Sequence, residues 1–552
     1  MTAFSRRANT LLQAFVLLLA VVLLALHWAH LSADFPNYSR WMDWSKYTDE
    51  GWYGDAAIRH FQRGGWYVNG DFNPAAALPV WPFLEACLFH FTGVSLVAVR
   101  ALTVAVFAGI MLASWLLLRR WTKSATARWH FAAPVAVLLL AASPFLFVFT
   151  RLAILEPLLV LLTLLAMLAA SSASAVAPCV HWQEVRPVVT RNLGCILMLG
   201  VLLPLMILTK TTALFLVPAV AWLLLARMRY HLCSFFVVGL PAAVLAGLLW
   251  SSYFFLLIRP HYLLDYRYLF SANAYTGITL ENFASVLVDT VKDGMWIGRI
   301  LFPVAMLTIG FALAHGYGLR RHPLIVSLLL WAGGYSAFLA YHANLQPRYY
   351  LVVAVPLTLL VPLVAEQLLI SRCKRAATVR TTGVLLATVL AVLVLTDARQ
   401  TLHFVRHPEY TLLHAALQVD QYIETDRHRD PTHNPLVLSI SGSDLSLMTG
   451  LPSICDDFGT LELADRVKRY MPGWYLAWNQ IDDDKMDAMT PLFHIERVAE
   501  FPAMDDPDRN VLVLYRLEPS IVTKPVPRRR KPTPRPLLTK VGQQPSTSQL
   551  EH

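Results

Sequence analysis

Runs of leucine, valine, alanine and phenylalanine recur from Leu11 to Leu395, many of them near the roughly 20 residues a helix needs to cross a hydrocarbon core. With 56% hydrophobic and only 15% charged residues in 552, the chain has too little polar surface to cover these runs in water. It reads as an integral membrane protein. The runs are too long and too continuous for barrel strands, which are shorter and alternate, so the expected architecture is a polytopic α-helical bundle.

The apolar pattern predicts helices near 10–30, 95–118, 131–149, 152–170, 193–209, 212–228, 233–257, 295–315, 323–342, 349–369 and 381–397, giving about eleven crossings. The first run follows two arginines and carries small residues near Ala29 and Ala33, as a cleaved signal would, but we read it as the first helix of the bundle. Basic residues then cluster on one side: Arg6 and Arg7; Arg119, Arg120, Lys123 and Arg128; Arg186 and Arg191; Arg227 and Arg229; Arg320 and Arg321; Arg372, Lys374, Arg375 and Arg380. By the positive-inside rule that side is cytoplasmic, so the N-terminus is cytoplasmic. The intervening connections are extracytoplasmic, including the Asp49-Glu50 loop, the Arg151/Glu156 turn, Lys210, the loop from Arg259 to Asp293 and the segment from His342 to Tyr350.

Composition divides the chain into three. Residues 1–397 form the membrane bundle, with a first extracytoplasmic loop at 31–94 in which the Ala75–Phe91 segment carries Pro79, Pro82, Glu85 and His90 and is expected to lie along the interface. Residues 398–520 are richer in charge and alternate helix-like and strand-like stretches, as a small extracytoplasmic α/β domain would. That domain has neither a glycine-rich phosphate loop nor a Ser-His-Asp signature, so a lid or acceptor-binding module is expected there. Residues 521–552 are a basic, proline-rich tail expected to be disordered.

The net charge of +10 resides mostly in cytoplasmic loops and the tail, so it gives no argument for nucleic-acid binding. The six cysteines show neither a CxxC pair nor metal spacing, and unpaired thiols are the expectation. The histidines form no HExxH or other ligand cluster, so spacing implies no metal, while the need for a divalent ion stays open.

What stands out against this background is the string Tyr47-Thr48-Asp49-Glu50-Gly51-Trp52-Tyr53, which sets two carboxylates at a membrane edge. Charge is costly near lipid, so acids there usually face a cavity, a cation or a substrate. A further acid, Glu156, and the cations Arg151, Lys210 and Arg348 fall on the same predicted side. Such a set suits glycosyl transfer from a lipid phosphate: a carboxylate takes the acceptor proton, and cations stabilise the departing phosphate without a general acid.

Asp49-Glu50-Gly51-Trp52-Tyr53, Arg151 with Glu156-Pro157, Leu208-Thr209-Lys210-Thr211 and Gln346-Pro347-Arg348-Tyr349-Tyr350, in this order, resemble the GT-C glycosyltransferases. The branch most similar is that of the protein O-mannosyltransferases and aminoarabinose transferases (glycosyltransferase family 39 and relatives). The resemblance implies a GT-C-like bundle and an inverting transfer of sugar from a polyprenyl-phosphate donor to an extracytoplasmic acceptor, protein, glycan or lipid, at a bacterial inner membrane. It further implies that Asp49 is the catalytic base, that Glu50 helps hold the acceptor, and that Glu156 is a second acid. Lys210 and Arg348 would meet the lipid phosphate and Arg151 would orient Glu156 or bind the phosphate, with Tyr53 and Tyr349 lining the site. Structural readings stand beside these: solvated loop acids for the pair, a dipole-favoured charge at a helix start for Glu156, an ion pair for Arg151 and snorkelling for Lys210 and Arg348. The aminoarabinose branch commonly has a basic residue within the acidic motif and a Lys-Pro-Pro turn after it; here Trp52 occupies the former region and Asn73-Pro74 stands near the latter, which argues against lipid A as acceptor.

Two rival functions fit the same composition. A transporter or flippase for a lipid-linked or anionic substrate would also use charges inside a bundle, but nearer mid-membrane and on broken helices. A non-catalytic subunit of an envelope complex is the third reading.

Overall fold

The computed structural model describes residues 3–122, 130–174, 182–272, 279–315, 322–342, 345–371, 376–504, 506 and 509–520. The basic tail, and Lys123, Arg128, Arg320, Arg321, Arg372, Lys374 and Arg375 of the orienting loops, lie outside them.

Every apolar segment read from the sequence is helical. In chain order the helices of the first part are α1 (Ala3–Leu26), α2 (Asp49–Arg63), α3 (Val80–Thr92), α4 (Leu96–Thr122), α5 (Ala132–Ala142), α6 (Pro144–Phe149), α7 (Leu155–Ser172), α8 (Trp182–Arg191), α9 (Leu193–Thr209), α10 (Val217–Arg227), α11 (Leu232–Tyr253), α12 (Leu263–Ala272), α13 (Phe283–Asp293), α14 (Leu301–His315), α15 (Pro323–His342), α16 (Leu351–Ser371) and α17 (Ala376–Arg406). Among the described residues six helices are long and apolar enough to cross a membrane, or eight if each of two bent pairs is one span; Thr10–Leu26, Ala132–Ala142 and Thr211–Arg227 are shorter apolar helices. Their inward faces form one continuous hydrophobic core, with Trp81, Phe107, Phe145, Trp331 and Leu360 among its buried members.

Local chemistry explains where the helices depart from the apolar runs. The expected 131–149 helix is split into α5 and α6 because Pro144 has no N–H to continue the ladder, and Ser143 caps the new start by accepting the Leu146 N–H at 3.3 Å. The freed carbonyl of Ala142 accepts the Thr401 hydroxyl at 2.8 Å. Glu366 is buried in α16 and accepts the Phe131 and Ala132 N–H groups at 2.8 and 2.7 Å, capping α5 from a distant part of the chain. The loop expected from Arg259 is instead largely helical: α11 passes through a π-helical stretch at Phe254–Tyr262, which contains Pro260, into α12. Helix α17 runs past Asp397 to Arg406, so the rise in charge density there does not coincide with a break in the helix.

The segment expected at the interface is a short helix with one buried and one exposed side. Helix α3 has 13 residues, too short to cross, and it buries Trp81 and Phe89 while exposing Phe83 and Phe91. A tight turn at Pro74–Ala76 separates it from α2.

The C-terminal domain contains α18 (Thr411–Arg429), β1 (Val437–Leu438), α19 (Gly442–Thr449), β2 (Ser453–Ile454), α20 (Leu463–Tyr470), β3 (Trp474–Trp478), α21 (Asp483–Met489), β4 (Phe493–Pro502) and β5 (Val511–Pro519). The strands form one sheet in the order β2-β1-β3-β5-β4, parallel between β2, β1 and β3 and antiparallel at β5 and β4. Period-2 alternation sorts the side chains onto two faces. Val437, Trp474, Leu476, Leu512 and Leu514 pack against Leu412, Ala415 and Val419 of α18, whereas Leu438, Tyr475, Ala477 and Leu517 pack against Val467 of α20 and Met489 of α21. Asp34, just after α1, accepts the Leu412 and Leu413 N–H groups at 2.8 and 3.2 Å, which ties α18 to the bundle.

Candidate active site

Three helix ends and one turn converge on a cluster of charge. Asp49 is the first residue of α2 and Glu156 lies in the first turn of α7, where the helix dipole favours a carboxylate. Lys210 follows the last residue of α9, where the dipole favours a cation. Arg348 sits in a 3₁₀ turn, Pro347–Tyr350, that leads into α16.

Asp49 Oδ2 lies 2.8 Å from an Arg348 nitrogen, and its Oδ1 accepts the Thr48 hydroxyl at 3.1 Å. Arg348 is also gripped by Asp43, whose Oδ1 accepts a guanidinium N–H at 2.5 Å while Oδ2 accepts the Arg348 backbone N–H at 2.8 Å. Lys210 Nζ donates to Glu156 Oε1, and the second oxygen of Glu156 is buried without a hydrogen-bond partner. The Tyr349 ring joins the two pairs, with Lys210 Nζ 4.1 Å and Arg348 Cζ 4.7 Å from its centroid. Tyr53 shares the same electrostatic environment as Asp49, Arg348, Tyr349 and Glu156. Asp49 and Glu156 are each at most 1% exposed and Arg348 is 5% exposed, so these charges interact in a medium far less screening than water.

Burial pushes the Asp49 carboxyl up to about 6, with the Arg348 guanidinium pulling the other way. A carboxylate held there is a stronger base than an exposed aspartate yet still ionised near neutrality. Burial lowers the Lys210 ammonium, and Glu156 opposes that shift.

Two further candidates, Glu50 and Arg151, have partners outside the Asp49–Arg348 and Lys210–Glu156 pairs. The resemblance gives Glu50 a part in holding an acceptor, but both of its oxygens are bound within the protein. They accept the Arg100 guanidinium at 2.9 and 2.5 Å, and Oε1 also accepts the Ala153 N–H at 2.8 Å. Glu50 therefore locks α2 to α4 and to the turn before α7. The sequence places Arg151 beside Glu156 or the phosphate; its guanidinium instead donates to the carbonyls of Ala29 and His30, both at 2.6 Å, and lies over the Phe147 ring. These backbone contacts hold it at the turn that follows α1.

Sequence reasoning missed Asp43 and Arg100. Asp43 carries no local signal beyond capping the Trp44–Lys46 turn through the Ser45 N–H at 2.9 Å. Arg100 did carry one, since an arginine inside an apolar helix calls for a buried partner. Among the described residues no three His, Cys, Asp or Glu side chains are grouped to hold a metal ion.

No family model matches the chain, and no curated protein matches it by sequence. Solved structures do match. ArnT from Cupriavidus metallidurans bound to undecaprenyl phosphate aligns with a TM-score of 0.58 at 15% identity, covering 91% of this chain and 98% of that one. Its apo form aligns with a TM-score of 0.50 at 14% identity over the same shares. The Archaeoglobus fulgidus oligosaccharyltransferase tethered to an acceptor peptide aligns with a TM-score of 0.51 at 11% identity, covering 84% of this chain and 69% of that one. A membrane bundle with a small C-terminal sheet domain, aligned over nine-tenths of its length with such a transferase, gives this integral membrane protein the fold of the GT-C glycosyltransferases.

Proposed function

We propose that this protein is an inverting glycosyltransferase that moves a sugar from a polyprenyl-phosphate donor to an acceptor hydroxyl on the extracytoplasmic face of a bacterial inner membrane. The observation that carries the reading is the pairing of buried Asp49 with Arg348 beside the Lys210–Glu156 pair. In the proposed reaction the acceptor oxygen attacks the anomeric carbon while Asp49 takes its proton. The bond from that carbon to the phosphate oxygen breaks on the opposite face, and prenyl phosphate leaves with the electron pair. Its developing charge falls to Arg348 and Lys210, whose charge-assisted hydrogen bonds stand in for a general acid.

Both cations are already paired with carboxylates, so the donor phosphate competes with Glu156 for Lys210 and with Asp43 and Asp49 for Arg348. Donor arrival thereby loosens Arg348 from Asp49 and frees the base for the acceptor. The positions of the charges support chemistry over transport, because they lie at helix ends rather than in mid-span. The bound undecaprenyl phosphate of the ArnT structure supports a donor of this class, and the tethered acceptor peptide of the archaeal enzyme supports an acceptor beside it.

The test is transfer by the purified protein in detergent from undecaprenyl-phosphate sugars, joined to mass spectrometry of envelope glycans, glycoproteins and glycolipids from cells with and without the gene. A new product that disappears with the gene is expected. An unchanged glycome with no transfer in vitro would leave a carrier as the better reading.

A further inference from the structure

Asp43 and Asp49, the two acids that meet Arg348, stand at either end of one short turn. Bonds within the turn tie each of them to it. Asp43 Oδ1 accepts the Ser45 N–H at 2.9 Å as well as the Arg348 guanidinium at 2.5 Å, so a single oxygen fixes the turn and the cation together. At the other end the Thr48 hydroxyl shares its hydrogen between the Trp44 carbonyl at 3.0 Å and Asp49 Oδ1 at 3.1 Å. The path of residues 44–48 therefore sets where both carboxylates aim.

A 3₁₀ turn of three residues, Trp44–Lys46, has few backbone bonds of its own to hold that path. The C-terminal domain grips it from outside. The Tyr47 ring is buried and lies edge-on to Trp478, at the end of β3, with centroids 5.7 Å apart. The Trp478 indole is itself held by Ser441 Oγ at 2.9 Å. Arg509 Cζ stands 4.5 Å from the Tyr47 centroid and 5.7 Å from that of Trp44, within the range of cation–π attraction. Lys46 Nζ lies 3.7 Å from Asp506 Oδ2, with both side chains at most 5% exposed.

These groups are carried on one end of the sheet. Asp506 and Arg509 belong to the connection between β4 and β5, where the Ala503 N–H donates to the Asn510 carbonyl at 2.9 Å and the Arg509 N–H to the Asp506 carbonyl at 3.1 Å. The Asn479 side chain, next to Trp478, accepts the Asn510 and Val511 N–H groups at 3.2 and 3.0 Å, and Trp478 itself pairs with Leu512 of β5.

We infer that the β4–β5 connection of the C-terminal domain is a clamp on residues 44–48, and that Arg509 is a positioning residue that holds Asp43 and Asp49 in their aim at Arg348. This rests on Asp49 and Arg348 acting as proposed above. Arg509 exerts its effect through the Tyr47 and Trp44 rings and not on the substrate.

The experiment compares Arg509→Met, which keeps much of the stem but removes the charge, with Arg509→Lys, which keeps a cation over the two rings. With an undecaprenyl-phosphate sugar that the wild type turns over, Arg509→Met is expected to lower kcat by roughly tenfold while KM for the donor stays unchanged, the signature of a misplaced reacting group. Arg509→Lys is expected to restore most of kcat. Hydrogen exchange, read without turnover, should show faster exchange of the Ser45 to Thr48 amides in Arg509→Met and near-native exchange in Arg509→Lys. Wild-type kcat in Arg509→Met, a fall in kcat with native exchange, or equal damage in both variants would overturn the inference. If Arg509→Met does not fold, Asp506→Asn decides: a fall in kcat at unchanged donor KM supports the clamp, and wild-type kcat refutes it. Should the wild type transfer no sugar at all, the functional proposal fails, and exchange alone still judges whether the β4–β5 connection holds the turn.

Discussion

Replacing Asp49 by asparagine separates base chemistry from architecture, because the surroundings of that side chain have two independent supports. The substituted amide keeps an oxygen for the Thr48 hydroxyl, and Arg348 stays anchored by Asp43 through two contacts of 2.5 and 2.8 Å. The variant loses its ionic contact with Arg348 at 2.8 Å, but it also no longer buries a charge. These effects oppose each other, so the change in stability should stay within about 1–2 kcal/mol. Transfer should fall by about two to four orders of magnitude, the usual worth of a general base, which is roughly 3–5 kcal/mol of barrier. Donor binding should hold or tighten, since the cluster loses one negative charge beside an anionic ligand. In the wild type the active form of Asp49 is ionised and its carboxyl sits near 6, so kcat/KM should fall as pH drops through about 6 and level off above it. The variant should lack that acidic limb. The assay is transfer from a purified undecaprenyl-phosphate sugar in detergent, with donor affinity measured separately. Near wild-type transfer by Asp49→Asn would refute Asp49 as the base; loss of donor binding together with transfer would make it a support for Arg348 instead.

Other substitutions probe the neighbours. In Arg348→Lys a single ammonium cannot reproduce contacts to Asp43 and Asp49 and also offer two parallel hydrogen bonds to phosphate, so transfer should drop roughly tenfold to a hundredfold with the fold intact; unchanged turnover would reduce Arg348 to an interfacial anchor. Glu50→Ala strands Arg100 as a buried unpaired cation and should cost about 3–5 kcal/mol, read as a lower melting temperature in detergent; a wild-type Tm would contradict the structural role assigned to the pair. Glu156→Gln removes the charge that opposes the burial shift of Lys210, so the Lys210 ammonium should lose its proton at lower pH and the alkaline limb of donor binding should move down. An unmoved limb would show that Lys210 does not meet the donor. A reporter active only outside the cytoplasm, fused after Ser520, should work, and a cytoplasmic signal there would reverse the orientation.

What was legible in the sequence follows from what acts locally. Apolar run length is a property of neighbouring residues, so the helical bundle and the α/β character of the C-terminal domain could be read directly, whereas the break at Ser143-Pro144 was passed over within an apolar run. The motifs also named Asp49, Glu156, Lys210, Arg348 and Tyr349, which the fold brings to one cluster from separate helix ends. Their partners could not be read. Asp43 meets Arg348 across 305 positions of chain, and Glu50 meets Arg100 across 50, by contacts that exist only once the helices have packed. Adjacent acids in the sequence thus receive opposite tasks. Asp49 opens α2 toward Arg348, while Glu50 turns to Arg100 and the Ala153 amide, because successive residues on a helix point about 100° apart. Which partner each carboxylate meets is decided by the direction in which it points, and those partners come from α4, the turn before α7 and the turn that leads into α16, far away in the chain.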